Sequence, residues 1–179
     1  NYLYMLVESV DETVCNTVSP NWNAEMSIDC LEFWFAADLD ASAGAESYGD
    51  GSVSACLDHL GNFSWNGGDE STKDAILHAA SYDGAKTTVY EIAIPLMNGV
   101  PGLTFGLNVA VNDTSDENGS RCGYVVLNEV GQWWVSPANL GGYLLAEPAA
   151  VEPEPETEAE TVAAPAEDAA QTISAPQTA

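Results

Sequence analysis

Acidic residues outnumber basic ones by 28 to 3 in this chain of 179 residues, a formal net charge of −25. A phosphate backbone or an anionic lipid surface is repelled by such a field, so nucleic acid and membranes are poor partners, and neutral or cationic partners or bound cations suit it better. No apolar run is long enough to span a bilayer.

Short runs of alternating or β-branched residues recur along the first 146 residues and predict strands over Tyr2 to Val7, Ile28 to Phe35, Val53 to Leu57, Ile76 to Ser81 and Thr87 to Ile94. The pattern continues over Thr104 to Asn112, Gly123 to Leu127, Gln132 to Val135 and Tyr143 to Leu145. Turn clusters separate them: Tyr48-Gly49-Asp50-Gly51, Asn66-Gly67-Gly68-Asp69, Tyr82-Asp83-Gly84 and Asn118-Gly119. No stretch keeps helical spacing over three turns. The pattern predicts an all-β, jelly-roll-like antiparallel β-sandwich over residues 1–146. From Glu147 onward the composition changes to Pro, Glu, Ala and Thr, and residues 147–179 are expected to form a disordered acidic linker that spaces the domain from a neighbouring segment or anchor.

Cys15, Cys30, Cys56 and Cys122 form no CxxC pair and have no histidine at zinc-ligand spacing. Four cysteines allow three connectivities, and free or paired thiols are equally open. His59 and His78 sit in no nucleophile or metal pattern. Glu32 and Glu91 form a carboxylate pair on paper, but so acidic a chain supplies such pairs anywhere, and no catalysis is expected. The strand Phe105-Gly106-Leu107-Asn108-Val109-Ala110-Val111-Asn112-Asp113 places Leu107, Val109 and Val111 on one face and Asn108, Ala110 and Asn112 on the other, which predicts a wet second face; a polar loop and Arg121 come next in the chain.

That segment, with Asp29-Cys30-Leu31-Glu32-Phe33-Trp34-Phe35, Tyr90-Glu91-Ile92-Ala93-Ile94-Pro95-Leu96 and Ser136-Pro137-Ala138-Asn139-Leu140-Gly141, resembles carbohydrate-binding module family 9, the xylanase-associated sugar-binding β-sandwich, or a close relative of it. The resemblance implies a non-catalytic domain that holds a polysaccharide or oligosaccharide, a plant-type β-glucan or xylan, within a larger secreted or bacterial cell-surface protein. The family normally begins with one or more earlier strands, so part of the sheet is expected to be missing before Tyr2. Sugar binding needs aromatic faces for C–H groups and fixed polar groups for hydroxyls. Trp22, in the polar loop where the family places a stacking aromatic, Glu32, Trp34, Trp134 and Asn139 are the candidates. In Trp133-Trp134 an extended backbone turns one ring inward and the other out.

Two positions depart from the family pattern: Leu140 replaces a second sandwiching aromatic, and Ala110 stands where sugar-binding members carry an amide. The family also implies structural calcium, for which Asp38, Asp40, Asp113 and Asp116 offer hard oxygen ligands. Two alternatives stay open: a structural or adhesive spacer domain that has lost its ligand, and a haem-binding electron-transfer β-sandwich using Met5, Met26 or Met97 with a histidine.

Overall fold

The computed structural model describes residues 1–12, 29–96, 101–114, 121, 123–129 and 131–146. Trp22, Met26, Met97, Asp116, Cys15, Cys122 and the acidic tail lie outside them. The strands are β1 (Tyr2–Val10), β2 (Cys30–Ala36), β3 (Ser52–Asp58), β4 (Phe63–Gly68), β5 (Leu77–Tyr82), β6 (Thr87–Pro95), β7 (Thr104–Asp113), β8 (Gly123–Val126) and β9 (Gly141–Leu144). A one-turn helix, α1 (Glu70–Lys73), and a 3-10 turn at Pro137–Asn139 complete the described elements.

All ladders among these strands are antiparallel, in a three-stranded sheet ordered β1-β6-β5 and a six-stranded sheet ordered β4-β3-β2-β7-β8, with β9 also on β7. The molecule is a β-sandwich, as the strand pattern predicts. Alternation decides what each sheet buries. From β2, Leu31, Phe33 and Phe35 point between the sheets, where they meet Val53, Ala55 and Leu57 of β3 and Tyr90, Ile92 and Ile94 of β6. Phe105 and Leu107 of β7 close the same core. Each such side chain taken out of water contributes about 1.5–3 kcal/mol, enough collectively to fix the pairing register, because a one-residue slip would turn the whole set outward.

Two local readings are corrected. Asn66-Gly67-Gly68 is the end of β4 and not a turn: a bulge between Ser54 and Ala55 accommodates Gly68 at φ +125°, where an added Cβ would meet the Ser52 carbonyl oxygen at 2.2 Å. Only glycine fits so close a backbone approach. Asp69 then caps α1, its side chain accepting from the Ser71 N–H. Gln132 to Val135, predicted as a strand, is a turn closed by Val135 N–H to Gln132 C=O at 3.0 Å. Trp133 folds onto the sheet instead of pairing within it, while Trp134 and Val135 stay exposed.

Candidate functional site

The alternation that sends Leu31, Phe33 and Phe35 inward turns Cys30, Glu32, Trp34 and Ala36 to the outer face of the six-stranded sheet. In register with them stand Cys56 and Ser54 on β3, and Asn112, Ala110 and Asn108 on β7. The chain between β8 and β9 folds across this face. Trp133 meets Trp34 edge-on at 6.4 Å between ring centroids, and Leu140, Ala110 and Ala36 fill in around them. The Tyr48 hydroxyl donates to the Trp133 carbonyl and pins the crossing; burial pushes that phenol well above its ordinary pKa. Trp134 stands perpendicular to Trp133 at 4.9 Å and is 52% exposed, and Tyr124 lies 6.4 Å from Trp133.

Beside these rings lies a polar group built on β2 and β7. The Arg121 guanidinium donates to Asn112 Oδ1 at 3.0 Å and covers the Tyr124 ring at 5.1 Å. Asn112 also hydrogen-bonds the half-buried Glu32 and donates to Cys30 Sγ at 3.5 Å. Burial raises the Glu32 pKa, against the lowering effects of the Asn112 hydrogen bond and the Arg121 charge. Cys30 and Cys56 pack together beneath. A carboxylate acceptor, a guanidinium donor and an oriented amide beside exposed rings match what a hydroxyl-rich ligand needs: partners for its O–H groups and an apolar face for its C–H groups.

Among the expected site residues, Glu32 belongs to the polar group, and the exposed Trp134 is linked to it through Trp133 and Tyr124. Trp34 is only 3% exposed beneath the 4%-exposed Trp133, so it supports the platform and presents no open face of its own. Trp133 and Trp134 do split into one buried and one exposed ring, though on a turn. The Asn139 amide donates to the Gln132 carbonyl at 3.3 Å within its own loop. The wet face predicted for β7 is instead covered: Asn108 and Asn112 are buried, and Asn108 exchanges hydrogen bonds with the Asn128 backbone at 2.8 and 3.0 Å. Ala110 and Leu140 belong to the apolar cluster around Trp34 and Trp133. Asn112, Arg121 and Tyr124 are site residues that sequence reasoning misses. Asn112 is legible in part, because it shares the face of Glu32; the positions of Arg121 and Tyr124 depend on where the loop returns.

At the adjoining end of the sandwich Asp11, Asp29 and Asp113 bring carboxylate oxygens within 4.8 Å of one another. Asp29 is buried, and its Oδ1 accepts from the Thr114 N–H at 2.7 Å. The Thr114 hydroxyl is buried with no hydrogen-bond partner among the described residues. Three hard carboxylates and a spare hydroxyl suit a calcium ion. Asp38, a candidate from sequence, instead closes a turn by accepting from the Ala41 N–H at 2.9 Å, and neither it nor Asp40 belongs to the triad. Glu91 projects from β6 on the outer face of the other sheet, so the sandwich core separates it from Glu32. His59 is buried edge-on to Tyr82 at 5.7 Å, and His78 stacks on Phe63 at 4.6 Å.

A three-stranded and a six-stranded antiparallel sheet packed face to face, with an aromatic and polar cluster on one outer face, define a β-sandwich domain. Its fold is that of carbohydrate-binding module family 9. A family 9 module from Caldicellulosiruptor kristjanssonii in complex with glucose matches with a TM-score of 0.66 and 18% identity over 86% of this chain and 75% of that one. A module of the same family and organism in complex with cellotriose matches with a TM-score of 0.65 and 18% identity over 87% of this chain and 76% of that one. No protein-family model matches the sequence. A search of curated proteins finds no match either.

Proposed function

We propose that the outer face of the six-stranded sheet is a carbohydrate-binding site, and that the domain is a non-catalytic module directing a longer secreted or cell-surface protein to a plant-type β-glucan or xylan. The observation that carries this reading is the junction of the Arg121–Asn112–Glu32 group with the exposed Trp134 and Tyr124 rings. Glu32 accepts from sugar hydroxyls, Arg121 donates to them, and the rings cover one face of a pyranose. The fold shared with modules in complex with glucose and with cellotriose supports the same assignment. Affinity per domain is modest, since each hydroxyl exchanges water contacts for protein contacts at a net gain of about 0.5–1.5 kcal/mol. The benefit to a linked domain is a raised local concentration of substrate.

Asp11, Asp29 and Asp113, joined by the Thr114 hydroxyl, are proposed to hold a structural calcium ion that ties the end of β1 to β2 and β7. It would offset two of the three carboxylate charges and fix the end of β7 next to Asn112.

Titration calorimetry against glucose, cellotriose and xylotriose tests the sugar reading. Saturable binding that Glu32→Gln and Asn112→Ala each weaken at least about tenfold, a loss of about 1.4 kcal/mol, supports it. No heat with any of the three, from a folded domain, overturns it in favour of a spacer domain; the burial of Trp34 and Trp133 within their own cluster is the observation on that side.

A further inference from the structure

Tyr48 opens the turn Tyr48-Gly49-Asp50-Gly51 that leads into β3. The turn is tied to the sheet at the buried Ser52, whose N–H and hydroxyl both donate to the Gly49 carbonyl, at 3.0 and 2.9 Å. Ala37, just past the end of β2, donates its N–H to the Gly51 carbonyl at 2.8 Å. Most of the preceding loop, residues 38–47, faces solvent, but Leu39 and Tyr48 turn in and pack on the cluster around Trp34 and Trp133. Tyr48 is thus anchored on β3. Its hydroxyl donates to the Trp133 carbonyl, and in return the Ser136 hydroxyl donates to the Ala45 carbonyl of the same loop. Two side-chain bonds therefore join the segment before β3 to the turn that carries Trp133 and Trp134.

We infer that Tyr48 is a positioning residue for the ligand face: acting through the Trp133 carbonyl, it sets the direction in which the Trp134 ring stands. The inference rests on the carbohydrate reading of that face. The Trp133 carbonyl and the Trp134 N–H belong to one planar peptide unit, so a bond that holds the carbonyl holds the plane from which Trp134 departs. The turn's own bonds are directed elsewhere. The Val135 N–H and the Asn139 amide both donate to the Gln132 carbonyl, and the Ser136 hydroxyl accepts from the Ala138 N–H at 3.1 Å. Trp134 is half exposed with its ring against Trp133, so side-chain packing restrains it weakly. A ring held in one direction before binding spares the ligand the cost of selecting that arrangement. The hydroxyl carries this role, since the rest of the Tyr48 side chain fills the apolar cluster whether or not it bears an oxygen.

The test uses the full chain with fluorinated tryptophan, its five fluorine resonances assigned by single tryptophan-to-phenylalanine variants. Tyr48→Phe removes the hydroxyl and keeps the ring. It is expected to shift or split the Trp134 resonance, to leave that of Trp65 on β4 in place, and to raise the Kd for cellotriose about threefold or more in calorimetry. Ser136→Ala, which removes the second bond between the two segments, should move the same resonance. Asp83→Ala is the control for stability alone: it takes away the acceptor of three N–H groups in the β5–β6 turn and should lower the urea midpoint while leaving the Trp134 resonance and the Kd unchanged. An unmoved Trp134 resonance in Tyr48→Phe, an unmoved Kd in that variant, or equal changes in Asp83→Ala would each overturn the assignment. If the wild-type chain binds no cellotriose, the carbohydrate reading falls by itself, and the Trp134 resonance still decides whether Tyr48 holds the ring.

Discussion

Truncating Trp134 separates the use of the aromatic rim from its support. A tryptophan side chain offers about 200 Å² of largely apolar surface, and at 52% exposed about half of that remains open in the folded protein. A pyranose lying on one face covers about half of the open area, roughly 50 Å², which at about 25 cal/mol per Å² is worth near 1.3 kcal/mol. Trp134→Ala is therefore expected to raise the Kd for cellotriose about tenfold. Loss of its edge contact with Trp133 at 4.9 Å lowers unfolding free energy by about 1 kcal/mol. Trp133→Ala behaves differently: the ring is 4% exposed, and its removal costs about 3–5 kcal/mol of stability. Calorimetric titration gives the first quantity and urea denaturation the second. Affinity held within twofold in a folded Trp134→Ala protein, while Glu32→Gln abolishes binding, would refute the assignment of the exposed ring to the ligand.

Burial raises the folded-state pKa of Glu32, so its proton contributes stability that is fully present below the ordinary value of 4.5 and is lost as pH rises through the folded value; Glu32→Gln should flatten that part of a stability–pH curve. Asp83 is the opposite case: its carboxylate accepts from the Ala85, Lys86 and Thr87 N–H groups and its pKa falls to about 2, so its contribution is present above the ordinary 3.8 and lost as pH drops through about 2. Asp83→Ala should shift acid unfolding to higher pH, and an unmoved acid midpoint would contradict this. Gly68→Ala places a Cβ 2.2 Å from the Ser52 carbonyl at positive φ and is expected to cost about 3 kcal/mol in denaturant melts. Calcium at 100 times its Kd should add about 2.7 kcal/mol, some 5–10 °C in Tm, and Asp29→Asn should abolish most of that gain; a chelator-insensitive Tm in both proteins would dismiss the ion.

The sandwich was legible in the sequence because a strand's side-chain period is two, and one buried face leaves an alternating record: Leu31, Phe33 and Phe35 inward made Glu32 outward without knowledge of any partner strand. Turn residues marked most strand ends for the same local reason. Asn66-Gly67-Gly68 misled because glycine serves a bulge as readily as a turn, and the choice depends on Ser52 across the ladder. Gln132 to Val135 misled because apolar residues look alike whether they pair in a sheet or fold over one. What no local pattern contains is the path of the chain after β8. That path covers Asn108 and Trp34, while the return of β7 brings Arg121 to Asn112 over a separation of nine residues and the fold gathers Asp11, Asp29 and Asp113 from three distant points. Alternation assigns a residue to a face. Only the crossing of loops over that face decides whether the residue meets water, a ring or a ligand.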